Sequence, residues 1–422
     1  LFPVCGILPA AQVAPPYANH FVFLMFGGFC LAEAMQRHGL HRRVALAIVA
    51  GVGGGPRRLV LGFMLAAACL SMWLSNTATA AMLYPIALAV ADRTRLPNFS
   101  AALMLGTAYA CNIGGMGTLV GTFPNLLFSG MVEDLVPGSQ PPDFLGWMLM
   151  GVPLVLVLLP LGWWLLTYLA FPQAAGGGQA LETVQAERRA LGRMSPAESR
   201  TALVFSWTAL LWICRRGLTL GSIKVPGWSQ LLGLDGMVHD STVAVAAAIL
   251  LFLIPSGSTG PHGRERLLEP SSLKAIPWEI LLLFGGGFAL ATGFSASSLD
   301  QALGHGLAGL GHVPMPLAFF VLALVVSMVT EFNSNTATAT TLLPLVAAAA
   351  PSLGWPPLPL LLVTTLSASC AFMLPTATPP NAILFASGRF SLPEMVCAGV
   401  GMNLLAAAAI ALLVWMVVLS GA

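Results

Sequence analysis

Charge is what this chain lacks most. Asp, Glu, Lys and Arg together supply 8% of its 422 residues, while 57% are hydrophobic. A soluble globular domain carries about 25% charged residues. So few charges cannot cover a water-facing surface, so most of the exterior must face lipid and an integral membrane protein is expected. The net charge is +2, and no basic patch with interleaved aromatics offers a nucleic-acid surface. Cysteine is sparse too. Cys5, Cys30, Cys69, Cys111, Cys214, Cys370 and Cys397 stand singly in apolar segments, without the CxxC or Cys/His spacing of a zinc site or disulfide framework. They read as small buried hydrophobes. The histidines are dispersed, with His38 and His41 in a basic loop. No His/Asp/Cys set within the apolar runs supplies a nucleophile–base pair or a metal site, so an enzyme is not expected. No signal peptide is visible. Residue 1 is Leu, and the opening LFPVCGILPA reads as the tail of an apolar helix. The chain is therefore expected to begin partway into a longer protein.

What is present is apolar runs. A membrane-crossing helix needs about 20 apolar residues, and 144–171, 200–214, 241–255, 278–293 and 395–420 read that way. Other runs are interrupted. Residues 58–74 run into SNTATA and continue as AMLYPIALAVA; residues 314–329 run into EFNSNTATA and continue as TTLLPLVAAAA. Each arm is about 15 residues, short for a span at 1.5 Å rise per residue. Two such arms meeting at a Ser/Asn/Thr turn suggest a re-entrant helical hairpin. A second kind of break follows each: CNIGGMGTLVGTFPN at 111–125 and CAFMLPTATPPN at 370–381. Gly and Pro there would unwind a helix in mid-membrane, which survives only where it is buried in protein or lines a watery cavity.

These features come in pairs. SNTATA at 75 returns at 334, an offset of 259 that Pro85 and Pro344 keep. Phe26-Gly27-Gly28 matches Phe284-Gly285-Gly286 at 258, and Thr122-Phe123-Pro124-Asn125 matches Thr378-Pro379-Pro380-Asn381 at 256. Four landmarks in one order indicate a duplicated unit. The expected division is a first repeat over 1–171, truncated by about two helices at its N-terminus, a cytoplasmic linker over 172–199 and a second repeat over 200–422. The hairpins lie at about 58–91 and 314–350, and the broken helices at about 100–131 and 358–388. Alternating from 35–58 as a cytoplasmic segment puts Arg37, Arg42, Arg43, Arg57, Arg58, Arg93, Arg95, Arg188, Arg189, Arg193, Arg200, Arg264, Arg266, Lys274 and Arg389 inside. Only Arg215, Arg216 and Lys224 fall outside, as the positive-inside rule favours. The hairpins then enter from opposite faces, giving the inverted repeat usual in a secondary transporter.

The paired motifs suit ions. Ser, Asn and Thr supply hydroxyls and amides that donate or accept. N–H groups at the start of a second hairpin arm favour an anion. First-arm carbonyls with side-chain oxygens suit a small hard cation such as sodium. No Lys or Arg occurs in 59–92, 96–130, 314–350 or 358–388, so a dianion there would need co-bound cations as counter-charges. One SNT alone would be explained by hydrogen bonding between membrane helices; two at equivalent positions, each followed by its own break, are not. FGG reads as close packing. GVGGGP at 51–56 reads as a tight turn, and neither it nor GGMGTLVG has the βαβ context of a phosphate loop. Glu331 is either a proton site or a helix-end residue near the surface.

The two SNT motifs, the GTFPN and ATPPN breaks and the inverted repeat together resemble the divalent anion:sodium symporter family, whose members carry dicarboxylates, citrate or sulfate with sodium. The resemblance runs from Leu1 to Ala422, without the family's first helices. It implies a first sodium site at Ser71, Ser75, Asn76 and the backbone of Gly121. The second would be Thr330, Asn335 and the backbone carbonyls of Asn333 and Ala377. Substrate carboxylates would meet Asn76, Thr77, Thr122, Ser334, Asn335, Thr336 and Thr378. Phe123 stands where the family usually has Pro, and Asn333 where it often has a small residue; Phe123 either narrows the pocket or only repacks the break. The expected fold is all-α and polytopic, with two inverted repeats, each holding a re-entrant hairpin and an unwound helix. The resemblance further implies sodium-coupled symport of a small divalent anion, a C4-dicarboxylate such as succinate, by an elevator motion in a homodimer. A sodium-independent dicarboxylate exchanger and a sodium-coupled citrate or sulfate carrier are the alternatives. The Ala/Gly/Arg-rich composition points to a GC-rich bacterium and its inner membrane.

Overall fold

Runs of apolar residues punctuated by Gly, Pro and Asn become a helical bundle. The computed structural model describes residues 2–94, 96, 98–173, 178–220, 223–260, 263–297 and 313–420. Arg95, counted above as cytoplasmic, and residues 174–177 of the expected linker lie outside the described residues. The first half holds α1 (His20–Arg37), α2 (Leu40–Val52), α3 (Pro56–Ser71), α4 (Asn76–Thr94), α5 (Phe99–Gly115), α6 (Phe123–Leu135) and α7 (Phe144–Trp164). The helix α8 (Gly178–Ala190) follows, then α9 (Pro196–Ile213), α10 (Asp240–Leu253), α11 (Trp278–Ala296), α12 (Met315–Phe332), α13 (Asn335–Leu353), α14 (Pro357–Ser367), α15 (Pro379–Phe385) and α16 (Leu392–Ser420). Helix ends follow the local chemistry. Gly39 turns left-handed (φ +73°) between α1 and α2, and Gly354 (φ +69°) caps α13, a conformation that favours glycine. Asp143 caps α7 through the Gly146 N–H, and Ser195 with Glu198 forms a capping box on α9.

Among the described residues four helices are long and apolar enough to cross a membrane: Ala10–Arg37, Phe144–Ala170, Met315–Phe332 and Leu392–Leu419. The runs at 241–255 and 278–293 form shorter apolar helices. The 259-residue offset of the motifs reappears in the helices. The bounds of α4 plus this offset are the bounds of α13, and α12 begins at the offset from the start of α3 but runs two residues further, to Phe332. Packing is reciprocal: α4 contacts α15 of the other half, and α13 contacts α6. α4 and α13 are thus each clamped by the helix that follows the other half's break, and this brings both motifs to one place. The FGG segments are close-packed as expected; a Cβ on Gly27 would lie 2.5 Å from that of Ala244, and one on Gly285 would enter the Tyr17 ring.

Three expectations need correction. The chain is not purely helical: Leu218–Leu220 pairs with Ile223–Val225, and Pro255–Gly260 with Gly263–Arg266, as short antiparallel ribbons. Within the 172–199 segment, α8 packs on α2 and α4 and Glu187 pairs with Arg42. Cys30, Cys111 and Cys370 are buried, but Cys5, Cys69, Cys214 and Cys397 are exposed; a thiol is apolar enough to sit on either side of a helix in such a chain. Glu331, one of whose readings placed it near the surface, is 1% exposed. Arg215, an exception to the charge rule, is buried and neutralised. Its guanidinium meets Asp240 (3.2 Å), whose carboxylate also accepts the Phe144 N–H at 2.9 Å.

Candidate functional site

Both SNT motifs and both breaks line one cavity of about 170 Å³. Its walls carry Ser75, Asn76 and Thr77, then Gly121, Thr122 and Phe123. From the other half come Ser334, Asn335 and Thr336, then Ala377, Thr378, Pro379 and Pro380. All seven residues expected to meet substrate carboxylates are here. So are Ser75, Gly121 and Ala377 of the expected sodium ligands. Ser71 and Thr330 stand one layer behind, and Asn333 is exposed.

The motif's local chemistry explains its spelling. Ser is the residue before the second arm, and its hydroxyl accepts a backbone N–H: Ala78 to Ser75 at 3.2 Å, Ala337 to Ser334 at 3.1 Å. That is an N-cap. Asn is the first helical residue, and its side-chain oxygen meets the hydroxyl five residues earlier. Ser71 donates to Asn76 Oδ1 at 2.5 Å, and Thr330 to Asn335 Oδ1 at 2.8 Å. Thr330 Oγ1 also lies 2.9 Å from the Ala368 carbonyl. A hydroxyl has one proton. With that proton on Ala368, the Thr330 lone pairs and Asn335 Oδ1 are free to face a cation together.

Each break is stapled by the Asn that ends its motif. Asn125 Nδ2 donates to the carbonyls of Gly115 (3.1 Å) and Thr118 (2.7 Å). Asn381 Nδ2 donates to Ala371 and Leu374, both at 3.0 Å. Ten and seven residues separate donor from acceptor in both halves. The first break is a tight cradle: a Cβ on Gly115 would lie 2.8 Å from Asn76 Oδ1 and 3.2 Å from the Gly121 carbonyl. Gly121 itself faces the Ser71 carbonyl, 3.0 Å from where its Cβ would be.

No lining side chain is charged, yet four helices begin at this cavity: α4 at Asn76, α6 at Phe123, α13 at Asn335 and α15 at Pro379. Helix N-termini carry a partial positive charge. Pro124, Pro379 and Pro380 lack an N–H, so direct donation falls to the two SNT segments, the Phe123 N–H and the threonine hydroxyls. The arrangement offers hydroxyl, amide and carbonyl oxygens to cations, and dipoles to an anion between them.

One residue of this site went unassigned from sequence. Asn112, fully buried in α5, has its Oδ1 3.4 Å from Asn76 Nδ2. Its own amide nitrogen lies 3.1 Å from the Ala371 carbonyl, 3.2 Å from Thr378 Oγ1 and 3.5 Å from Asn381 Oδ1. Two hydrogens serve three acceptors across the two halves. The signal was an amide in an otherwise apolar run, but its partners are distant in sequence.

The chain matches the sodium:sulfate symporter transmembrane-region family over residues 4–420. It belongs to the divalent anion:sodium symporter family. This family's members are membrane transporters, so the chain is a multi-pass membrane transporter rather than an enzyme. Within the family it is 38% identical over 431 residues to the sodium-dependent dicarboxylate transporter SdcS of Staphylococcus aureus strain NCTC 8325 / PS 47. That match covers 99% of this chain and 80% of SdcS. SdcS of strain MRSA252 is 38% identical over 429 residues, covering 98% and 79%. The crystal structure of the Alcanivorax borkumensis YdaH transporter matches with a TM-score of 0.56 and 14% identity, over 98% of this chain and 90% of that one. At that identity the likeness concerns the fold alone.

Proposed function

We propose that this family member is a sodium-coupled symporter of a small dianion, a C4-dicarboxylate such as succinate. The observation that carries the proposal is a cavity lined by both SNT motifs and without a charged side chain. A dianion moved from water into such a site loses its hydration. Helix dipoles offset part of that loss, and sodium ions in the flanking oxygen nests supply the remaining counter-charge. The first ion is assigned to Ser71, Ser75, Asn76 and the Gly121 backbone, the second to Thr330, Asn335 and the carbonyls of Asn333 and Ala377. The carboxylates are assigned to Asn76, Thr77 and Thr122 on one side and Ser334, Asn335, Thr336 and Thr378 on the other. A 170 Å³ cavity is below the roughly 300–1,000 Å³ of drug-sized pockets, which favours a short dianion over a tricarboxylate. The likeness to a dicarboxylate transporter at 38% identity points the same way.

The matching bounds of α4 and α13 and the reciprocal packing support two repeats, 1–171 and 200–422; their inversion in the membrane and their re-entrant hairpins rest on the family resemblance and the basic-residue distribution. Alternating access would be an elevator motion in a homodimer of the bacterial inner membrane, with 172–199 cytoplasmic; these rest on the family resemblance and the basic-residue distribution. The test is uptake of labelled succinate into proteoliposomes under an inward sodium gradient, then with potassium replacing sodium. Uptake only with sodium is expected. Equal uptake in potassium, stimulated by preloaded succinate, would make the protein an exchanger.

Phe123 supports a size limit. Its ring lines the cavity and meets Phe284 edge-on at 6.0 Å and Phe29 at 6.5 Å. Phe123 is the first residue of α6, where proline is tolerated, and Pro379 holds the equivalent position in the other half. Phe123→Pro is expected to fold and to raise the citrate-to-succinate ratio of kcat/KM on the order of tenfold. An unchanged ratio in competition uptake would leave Phe123 a packing residue.

A further inference from the structure

Glu331 follows Thr330 in the last turn of α12, where the helix dipole disfavours a carboxylate. It is 1% exposed, and among the described residues no ion pair includes it. Its partners are instead the backbone of the second break. Oε1 accepts the N–H groups of Phe372 (2.7 Å) and Met373 (2.9 Å), and Oε2 accepts that of Leu374 (2.9 Å). Asn403 Nδ2, from α16, adds a fourth bond to Oε1 at 3.0 Å. Glu331 accepts in all four, which is the role of the ionised form.

The first half has no such device, and the backbone says why. There α5 stays helical through Gly115, so Met116 and Gly117 donate to their own helix end, Ile113 and Gly114, at 3.2 and 2.9 Å. In the second half α14 already ends at Ser367. The N–H groups of 372–374 therefore have no helical carbonyl to reach, and at membrane depth each must find a partner. Glu331 supplies it. At the 259-residue offset stands Met72, which offers only its carbonyl, to the Thr118 hydroxyl.

We infer that Glu331 is a positioning residue whose buried carboxylate anchors the second break and strengthens the second cation site. This rests on the sodium-coupled reading above. The structural route is short. Glu331 holds Leu374, and the Leu374 carbonyl accepts the N–H of Ala377 at 3.3 Å and the amide of Asn381 at 3.0 Å. Ala377 and Thr378 then line the cavity. The electrostatic route is direct. A formal negative charge beside Thr330 has four hydrogen bonds but no cationic partner, so a sodium ion on Thr330 and Asn335 is its counter-charge. The first site has no acid in that position. The carboxylate therefore strengthens the second site, and the sodium requirement of uptake reads its loss.

The test compares wild type, Glu331→Gln, Asn403→Leu and Asn335→Ala in proteoliposomes. Succinate uptake is measured against sodium concentration at saturating succinate, and elution by size exclusion checks folding. Glu331→Gln keeps the shape but loses the charge and turns an amide N–H₂ toward a backbone N–H. It is expected to raise half-saturating sodium on the order of tenfold, more than it lowers the maximal rate. Asn403→Leu keeps the charge and removes one donor, and is expected to shift half-saturating sodium in the same direction by less. Unchanged half-saturating sodium in Glu331→Gln, with only yield or maximal rate reduced, overturns the inference. Should Glu331→Gln fail to fold, Asn403→Leu decides alone: a raised sodium requirement supports the inference and an unchanged one overturns it. Sodium-independent uptake by wild type would remove the symport reading and this inference together. Sodium-dependent wild type with loss in Asn335→Ala but no shift in Glu331→Gln removes this inference only.

Discussion

Asn335→Ala is expected to abolish sodium-dependent uptake while leaving the chain folded, and Asn76→Ala to do the same. Each Asn sits at the first position of a helix, where its side chain is not needed to cap: Ser334 and Ser75 already do that. Folding should therefore tolerate Ala, a better helix former. What is lost is Oδ1, the oxygen that Thr330 or Ser71 faces at 2.8 or 2.5 Å. No other lining group replaces it, because the rest of each nest is hydroxyl and main-chain carbonyl. On the proposed assignment, loss of one ligand from so small a donor set is expected to weaken cation binding on the order of 100-fold. The anion loses its counter-charge with it, so succinate affinity falls as well. Asn76→Ala also frees Asn112 Oδ1, which Asn76 Nδ2 faces at 3.4 Å, and should affect both halves. Sodium titration of uptake, with size exclusion as the folding check, measures this. Wild-type sodium affinity in both variants would sink the ligand assignment.

Much of this site was legible because it was written twice. A single SNT is an ordinary polar patch between helices, whereas the same hexapeptide at a fixed offset marks a repeat unit. The Gly/Pro breaks were legible for a related reason, since an apolar run that spells CNIGGMGTLVGTFPN cannot stay helical throughout. The reach of each break was not. The first unwinds from Met116, the second from Ala368, although their motifs align. With that difference go the Glu331 bonds to residues 372–374, which no local pattern reports. Asn112 was missed for the same reason: the three acceptors of its amide lie in the other half. The two N-termini that follow the breaks, at Phe123 and Pro379, were not counted with those of the hairpins, because converging helix ends are a property of packing. The short ribbons were missed because segments such as PSGSTG lack the alternation that marks a strand.

The break also makes a one-residue contrast that separates folding from transport. Gly114 and Gly115 are neighbours at the end of α5, and they face different things. A Cβ on Gly114 would run into the Ala68 carbonyl and lie 2.5 Å from the Ala68 Cα. Both are backbone of α3, so the α3–α5 crossing itself would have to open. Gly114→Ala is expected to destabilise by about 4 kcal/mol or more, seen as aggregation or as loss of a thermal transition in detergent. A Cβ on Gly115 meets Asn76 Oδ1, Thr122 Cβ and the Gly121 carbonyl instead. These are walls of the nest proposed above for the first cation, and the nearest is a side-chain amide that can turn away. Gly115→Ala should therefore fold, elute as wild type and lose sodium-dependent uptake. The second half shows why the constraint is local. Cys370 and Ala371 hold the equivalent positions, and they can carry side chains because α14 has ended at Ser367 and no longer presses a helical backbone against its neighbour. Normal uptake by Gly115→Ala would mean that sodium does not approach Asn76 from the Gly121 side. Normal stability in Gly114→Ala would mean that α3 and α5 are free to separate at this crossing.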